Sequence, residues 1–158
     1  MNAILSPCRT YRYWLKRELN SGKGTVLFIM LNPSTADEII NDPTISRCIS
    51  YSRKWGYMNL EVCNIFALRS TDPNNLMAHL SPVGPDNDRY ILEASERANL
   101  IIAAWGNHGK ISGRGRKVVK LLEQYSLKSL GINASGHPKH PLYLKQNILP
   151  MPFYGNLT

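Results

Sequence analysis

The sequence predicts an α/β fold: a three-layer sandwich around a mainly parallel, four-stranded central sheet with an N-terminal antiparallel edge strand. Four short apolar runs support this prediction, because each is followed by a loop rich in Asn, Asp, Gly, Pro or His, an order typical of strands that alternate with helices. They occupy residues 26–31, 60–66, 100–104 and 127–132. Segments with helical periodicity separate them, an order that makes the strands parallel. We expect residues 1–158 to form a single domain.

The edge strand is predicted at residues 11–19, where apolar and basic side chains alternate. Turn-forming residues fill positions 20–24, so this strand is expected to form a hairpin with the strand at residues 26–31. The sheet would thereby gain one antiparallel pair.

Three helices are predicted between the strands. Asp42 and Pro43 are typical of an N-cap and a first helical residue, and they precede a helix over residues 44–55. The other predicted elements are a helix from a cap at Asp86 or Asn87 to Ala98, a helix at about residues 115–124 and an irregular tail at residues 149–158.

The composition is that of an ordinary globular protein, with 43% hydrophobic and 19% charged residues. No apolar run is long enough to cross a membrane and no signal-type apolar core follows the N-terminal basic residues, so a cytoplasmic location is expected. The formal net charge of +8 favours an anionic partner, most commonly nucleic acid, although a merely soluble basic surface explains it equally well.

The three cysteines, Cys8, Cys48 and Cys63, are widely spaced and have no Cys-x-x-Cys pair or clustered histidine partner. This spacing supports neither a disulfide framework nor a zinc site, and we expect ordinary thiols. No metal and no cofactor is expected.

Polar loops follow all four apolar runs, and loops after parallel strands gather at one edge of the sheet, where ligands bind. In the first loop, Pro33 stiffens the strand exit, while Asn32, Ser34 and Asp37 supply donors and acceptors. The alternative is a turn in which these side chains satisfy their own backbone.

The second loop begins at Asn64, a polar residue within an apolar run. A buried amide must be hydrogen-bonded, so Asn64 either ties loops together or contacts the amide edge of a ligand. Arg69, further along the loop, either clamps a phosphate or pairs with Asp72.

The third loop begins with Trp105, Gly106 and Asn107, and its glycines allow the backbone to approach a ligand closely. Basic residues then enter the N-terminus of a helix, where backbone amides and the helix dipole favour an anion. A solvated basic loop is the alternative. The cations predicted to contact phosphate are Lys110, Arg114 and Arg116.

Two histidines, His137 and His140, stand between prolines in the fourth loop. A rigidly held histidine suits a catalytic donor, because catalysis requires preorganised groups. The sequence leaves open whether His108, His137 or His140 faces the site. A metal site at these histidines is poorly supported, because no carboxylate or cysteine lies at ligand spacing.

In order along the chain, these loops resemble the motifs of the uracil-DNA glycosylase superfamily: GINPG, a proline-led segment, TN with a basic residue, WG and HPSPLS. The matching segments are residues 30–34, 41–44, 63–64 with Arg69, 104–106 and 137–142. More closely, LNPSTAD, NDPTI, NIFALRSTDP and GHPKHPLYL identify the chain as a member of the family catalogued as domain of unknown function 1643, which conveys no activity.

The glycosylase resemblance implies a DNA glycosylase-like protein that flips a nucleotide into the pocket and hydrolyses its N-glycosidic bond. It implies that His137 donates to the departing base and that Asn32 orients water or stabilises the sugar cation. The residues expected to contact the substrate are Pro33, Ser34, Asp37, Asp42, Thr44, Asn64, Arg69, Trp105, Gly106, Asn107 and His140.

The chain departs from the superfamily pattern in three respects, one of which is that its cysteines do not match the iron-sulfur ligands of some branches. Thr44 stands near the position where several branches have a stacking aromatic residue, and Lys139-His140 replaces small residues of the last motif. The expected substrate is therefore a modified or unusual base in DNA rather than ordinary uracil. The alternative is a non-catalytic protein that binds nucleic acid or a nucleotide in the same pocket.

Overall fold

The computed structural model describes residues 3–157, and its elements form one seven-stranded sheet with helices packed against it. The strands are β1 (Ala3–Leu5), β2 (Arg12–Glu18), β3 (Thr25–Met30), β4 (Asn59–Asn64), β5 (Leu100–Ala103), β6 (Leu127–Ser129) and β7 (Met151–Pro152). The helices are α1 (Pro43–Lys54), α2 (Asn75–Ala78), α3 (Asn87–Arg97) and α4 (Arg114–Leu121), and a 3-10 segment covers Asn107–Gly113.

The strands lie in the order β1-β2-β4-β3-β5-β6-β7. The four predicted apolar runs form the parallel centre of the sheet, β4-β3-β5-β6. The remaining pairs, β1 with β2, β2 with β4 and β6 with β7, are antiparallel. The α/β class is confirmed, but the prediction of a mainly parallel sheet is wrong, because antiparallel strands extend the parallel centre on both sides and make the sheet mixed.

The predicted hairpin between β2 and β3 is also wrong. Both edges of β3 are occupied by parallel partners, β4 and β5, so β2 pairs with β4 instead. Leu15 lies opposite Val62 in this antiparallel pair. The turn-rich residues 20–24 cross beside the start of β4, where the Lys23 amide donates to the Gly56 carbonyl at 3.0 Å.

Alternation along β3 divides the interior into two layers. Leu27 and Ile29 pack in a cluster with residues of α3 and α4, whereas Phe28 and Met30 pack in a cluster with residues of α1. Side chains of a strand point alternately to the two faces of the sheet, so α1 covers one face while α3 and α4 cover the other.

Helix α1 begins as predicted, with Asp42 as N-cap and Pro43 as the first residue. The other helices differ in detail. Asp86 stands at the N-cap position of α3 but makes no side-chain capping bond, and α4 begins one residue earlier than predicted and ends at Leu121. The predicted irregular tail contains the short strand β7, and its last residue, Thr158, lies outside the described residues.

No helix formed by residues 3–157 is long and apolar enough to cross a membrane. Cys8, Cys48 and Cys63 are all free thiols; Cys8 is exposed and the other two are buried. Within the described part of the chain, no three His, Cys, Asp or Glu side chains are grouped so that they could hold a metal ion.

Candidate functional site

A cleft of about 660 Å³ opens at the edge of the sheet where the four parallel strands end. Loops from each of these strands contribute to its wall, as the topology requires. The predicted site residues that line it are Asn32, Ser34, Asp42, Thr44, Trp105, Gly106, Asn107 and His140. Those that do not line it are Pro33, Asp37, Asn64, Arg69, Lys110, Arg114, Arg116 and His137.

The cleft deepens into a small void of about 30 Å³. A void of this size has room for about one water molecule. Asn32, Asp42 and His140 border both the cleft and the void, and Arg12 and Asn64 border the void alone. The polar groups of the site therefore converge at the base of the cleft.

Asn32 is held by its side-chain nitrogen. Nδ2 donates to the carbonyls of Ser70 at 2.9 Å and Pro33 at 3.1 Å, which joins the loops after β3 and β4. The Oδ1 atom has no hydrogen-bond partner among residues 3–157, so it remains available to accept from a water molecule or a ligand.

Asp42 is buried and caps α1 with its carboxylate. Oδ1 accepts from the Ile45 amide at 2.9 Å, and Oδ2 accepts from the Ala36 amide at 3.3 Å. These two bonds fix the loop after β3 against the first turn of α1. A carboxylate has about four acceptor positions, so capacity remains toward the cleft.

Arg12 is the residue of this site that the sequence did not predict, because it was assigned only to the basic side of an edge strand. Its side chain is 2% exposed and donates to the Ala36 carbonyl at 3.0 Å and to Asn64 Oδ1 at 3.2 Å. Its Nε is buried without a partner. Burial lowers the pKa of Arg12 to about 10, and nearby Asp42 opposes this shift.

His140 faces the base of the cleft with a defined tautomer. Its Nδ1 accepts from the Leu142 amide at 3.2 Å, so a neutral ring carries its proton on Nε2. Burial lowers the pKa of His140, while Asp42 raises it to a smaller extent. His140 is thus a neutral hydrogen-bond donor at neutral pH.

His137 lies behind the wall of the cleft, not in it. It lines a separate cavity, and its Nδ1 accepts from Trp105 Nε1 at 3.1 Å. Because Trp105 lines the cleft, its indole separates the two cavities. The structure therefore places the two predicted catalytic residues, Asn32 and His137, in different cavities.

Two of the predicted ligand-binding groups have roles within the fold. Arg114 is buried, and its guanidinium donates to the Ile65 carbonyl at 2.6 Å and to Asp88 at 2.5 Å. Asp37 accepts from the amides of Ile39 and Ile40, which corresponds to the turn alternative.

Asn64 and Arg69 lie beside the site but outside the cleft. Asn64 ties the end of β4 to the starts of β2 and α3, because its Oδ1 accepts from Arg12 and its carbonyl accepts from Asn87 Nδ2 at 2.8 Å. Arg69 donates to the Arg9 carbonyl at 3.4 Å and makes no salt bridge with Asp72. Pro33 is buried at the strand exit, where its carbonyl accepts from the Ser70 amide at 2.9 Å.

Fold and site together define an α/β protein with a polar cleft at the C-terminal edge of its parallel strands. The model of the DUF1643 family, described as a protein of unknown function, matches residues 12–142, and the chain belongs to this family. No curated protein matches the chain, and no solved structure matches it. The family description assigns no activity, so function must be argued from the site.

Proposed function

We propose that this protein hydrolyses the N-glycosidic bond of a modified or unusual base in DNA, with the nucleotide held in the cleft. The observation that carries this proposal is the convergence of Asn32, Asp42 and His140 on both the cleft and the void at its base. A cleft of about 660 Å³ lies within the range of small-molecule sites and suits one nucleotide unit. The net charge of +8 favours the phosphates of the substrate.

Cleavage of an N-glycosidic bond leaves the bonding electrons on the base and positive charge on the sugar. His140, with its proton on Nε2, donates a hydrogen bond to the departing base, a role that the motif resemblance gave to His137. The Asp42 carboxylate stabilises the cationic sugar electrostatically, and Asn32 Oδ1 accepts from the attacking water. The water supplies a hydroxyl to the sugar and a proton to the base.

The proposal is tested by incubating the protein with labelled oligonucleotides that contain uracil, hydroxymethyluracil, hypoxanthine or other modified bases. Alkaline strand scission reports each abasic site. We expect scission at one base, and a loss of roughly 10²- to 10³-fold in His140→Ala, the range for removing one hydrogen-bond donor to developing negative charge. His79→Ala is the matched control, because His79 is exposed and lies outside the cleft. Scission that is unchanged in His140→Ala, or absent for every base, contradicts the proposal.

A second candidate is a protein that binds a nucleotide or nucleic acid without turnover. Its support is the engagement of both Asp42 oxygens and of the Asn32 amide nitrogen by backbone groups, which gives these side chains a structural role. Binding by fluorescence anisotropy without scission would favour this candidate. Binding to nucleic-acid phosphates must weaken steeply as salt rises, whereas a flat response indicates a weakly charged ligand.

A further inference from the structure

A second cavity, of about 100 Å³, lies behind Trp105 and shares no lining residue with the cleft. It is formed by the 3-10 segment, the beginning of α4, the fourth loop and the end of the described chain. Its lining residues are Gly109, Lys110, Gly113, Arg116, His137 and Leu157.

His137 presents a hydrogen-bond donor to this cavity. Its side chain is 2% exposed, and its Nδ1 is occupied by the indole N–H of Trp105. A neutral ring therefore carries its proton on Nε2, and this atom has no hydrogen-bond partner among residues 3–157. Nε2 is not among the fully buried polar atoms that lack a partner, so it is accessible from the cavity. A ligand in the cavity can therefore accept from this N–H.

The charges around the cavity are all positive. Lys110 and Arg116 line it, and none of its lining residues is acidic. Arg116 is oriented by a 3.2 Å bond from Nη2 to the Leu157 carbonyl, which leaves most of its guanidinium N–H groups available. Burial, followed by the charges of Arg116 and Lys110, lowers the pKa of His137. An anion would offset both cations.

Two glycines of the 3-10 segment shape the wall of this cavity. A Cβ on Gly109 would lie 2.2 Å from Trp105 Cδ1 and 3.0 Å from His137 Nδ1, so only glycine allows this ring pair to form. Gly113, at the start of α4, has open space where a Cβ would stand. The N-terminus of α4 adds its positive dipole to the charges of the two cations.

We propose that this cavity binds a phosphate group, with His137 Nε2, Lys110 and Arg116 as its donors. His137 is then an anion-binding residue, and its rigid presentation between Gly136 and Pro138 serves that purpose. The site itself does not depend on the glycosidase chemistry. Only the source of the phosphate, the nucleic-acid backbone or free phosphate, rests on the proposed function.

The experiment is an NMR titration of the histidine side-chain resonances with inorganic phosphate. The chain has four histidines, which makes assignment by substitution practical. We expect a saturable shift of the His137 resonance and a rise in its pKa, because the bound anion offsets the neighbouring cations. Arg116→Gln and Lys110→Gln should each weaken binding about tenfold, as expected for a charge-assisted hydrogen bond. Lys117→Gln, an exposed neighbour on α4, should leave it unchanged.

A His137 resonance that does not respond to millimolar phosphate overturns the proposal. Equal weakening by Lys117→Gln and Arg116→Gln also overturns it, because binding would then follow net charge and not the cavity. An oligonucleotide of tetrahydrofuran residues, which carries phosphodiesters without bases, identifies the source: competition with phosphate indicates the nucleic-acid backbone, and its absence indicates free phosphate. The titration measures phosphate binding and needs no catalytic turnover. A protein that releases no base can therefore still bind phosphate in this cavity, and the two proposals fail separately.

Discussion

Replacement of Asp42 by alanine removes the contact that holds the loop after β3 to α1. The carboxylate accepts from the amides of Ile45 and Ala36, and both of these residues are buried. Asp42→Ala leaves two main-chain donors without acceptors in a place that water reaches poorly. A structural role for Asp42 therefore predicts a loss of stability that is independent of any ligand.

The magnitude follows from the two bonds. Loss of an N-cap costs about 1 kcal/mol in the free energy of unfolding, and an unsatisfied buried donor costs about 1 to 3 kcal/mol. The expected total is about 2 to 4 kcal/mol. For a domain of this size, each kcal/mol lowers Tm by about 2 to 4 °C, so Tm should fall by roughly 4 to 16 °C.

Urea unfolding followed by circular dichroism measures this loss. Asp86→Ala is the matched control, because Asp86 stands at the N-cap position of α3 without a capping bond. We expect Asp86→Ala to change stability by less than about 0.5 kcal/mol. Asp42→Asn keeps a capping oxygen and should cost less than Asp42→Ala. The reasoning is refuted if Asp42→Ala is as stable as the wild type, or if Asp86→Ala costs as much.

Two further predictions concern titratable groups. Hydrogen bonds with Ser6 and Thr10 lower the pKa of the exposed Cys8 to about 7, whereas burial raises the pKa of Cys63 to about 12. Iodoacetamide at neutral pH should therefore give one adduct by mass spectrometry, on Cys8, and an adduct on Cys63 in the folded protein contradicts this. The pKa values of His137 and His140 in the folded protein lie below the ordinary 6.5. Below about pH 6.5 the unfolded chain therefore binds more protons than the folded protein does. The free energy of unfolding in phosphate-free buffer should decrease as pH falls over that range, and His137→Gln should reduce the slope relative to the wild type. A slope in His137→Gln equal to that of the wild type contradicts the prediction.

The parallel centre of the fold is predictable because it depends on local features. Each of its strands coincides with the beginning of one of the four predicted runs, and the structure begins all four within one residue of the predicted starts. The start of α1 is equally local, since Asp42 and Pro43 act on adjacent backbone groups. The predicted ends extend too far after β4 and β6, because residues 65–66 and 130–132 remain apolar after they leave the sheet.

The antiparallel pairs depend on contacts between distant residues. The turn residues at 20–24 indicate that the chain reverses, but not that β4 will occupy the place beside β3. The strands β1 and β7 have three and two residues, too few to establish a periodicity in the sequence. The antiparallel pairs could therefore be identified only from the tertiary structure.

The site was predictable at the level of loops and not of individual side chains. The rule that loops gather at one edge of a parallel sheet correctly brings Asn32, Trp105 and His140 together. The sequence around His137 and His140 is similar, and only the position of the Trp105 indole assigns them to different cavities. Arg12 was missed because the alternation along β2 indicates only which side chains are polar. It does not indicate that the loop after β3 covers the Arg12 guanidinium and buries it.

The two ends of the sheet have a consequence for self-association. Among the described residues, β1 offers three residues and β7 only two, and one of these is Pro152, which lacks an amide hydrogen. A strand from another molecule could form few main-chain hydrogen bonds at either end. Short edge strands and proline are common protections against edge-to-edge aggregation, so the longer, apolar strands of this sheet remain shielded from intermolecular pairing.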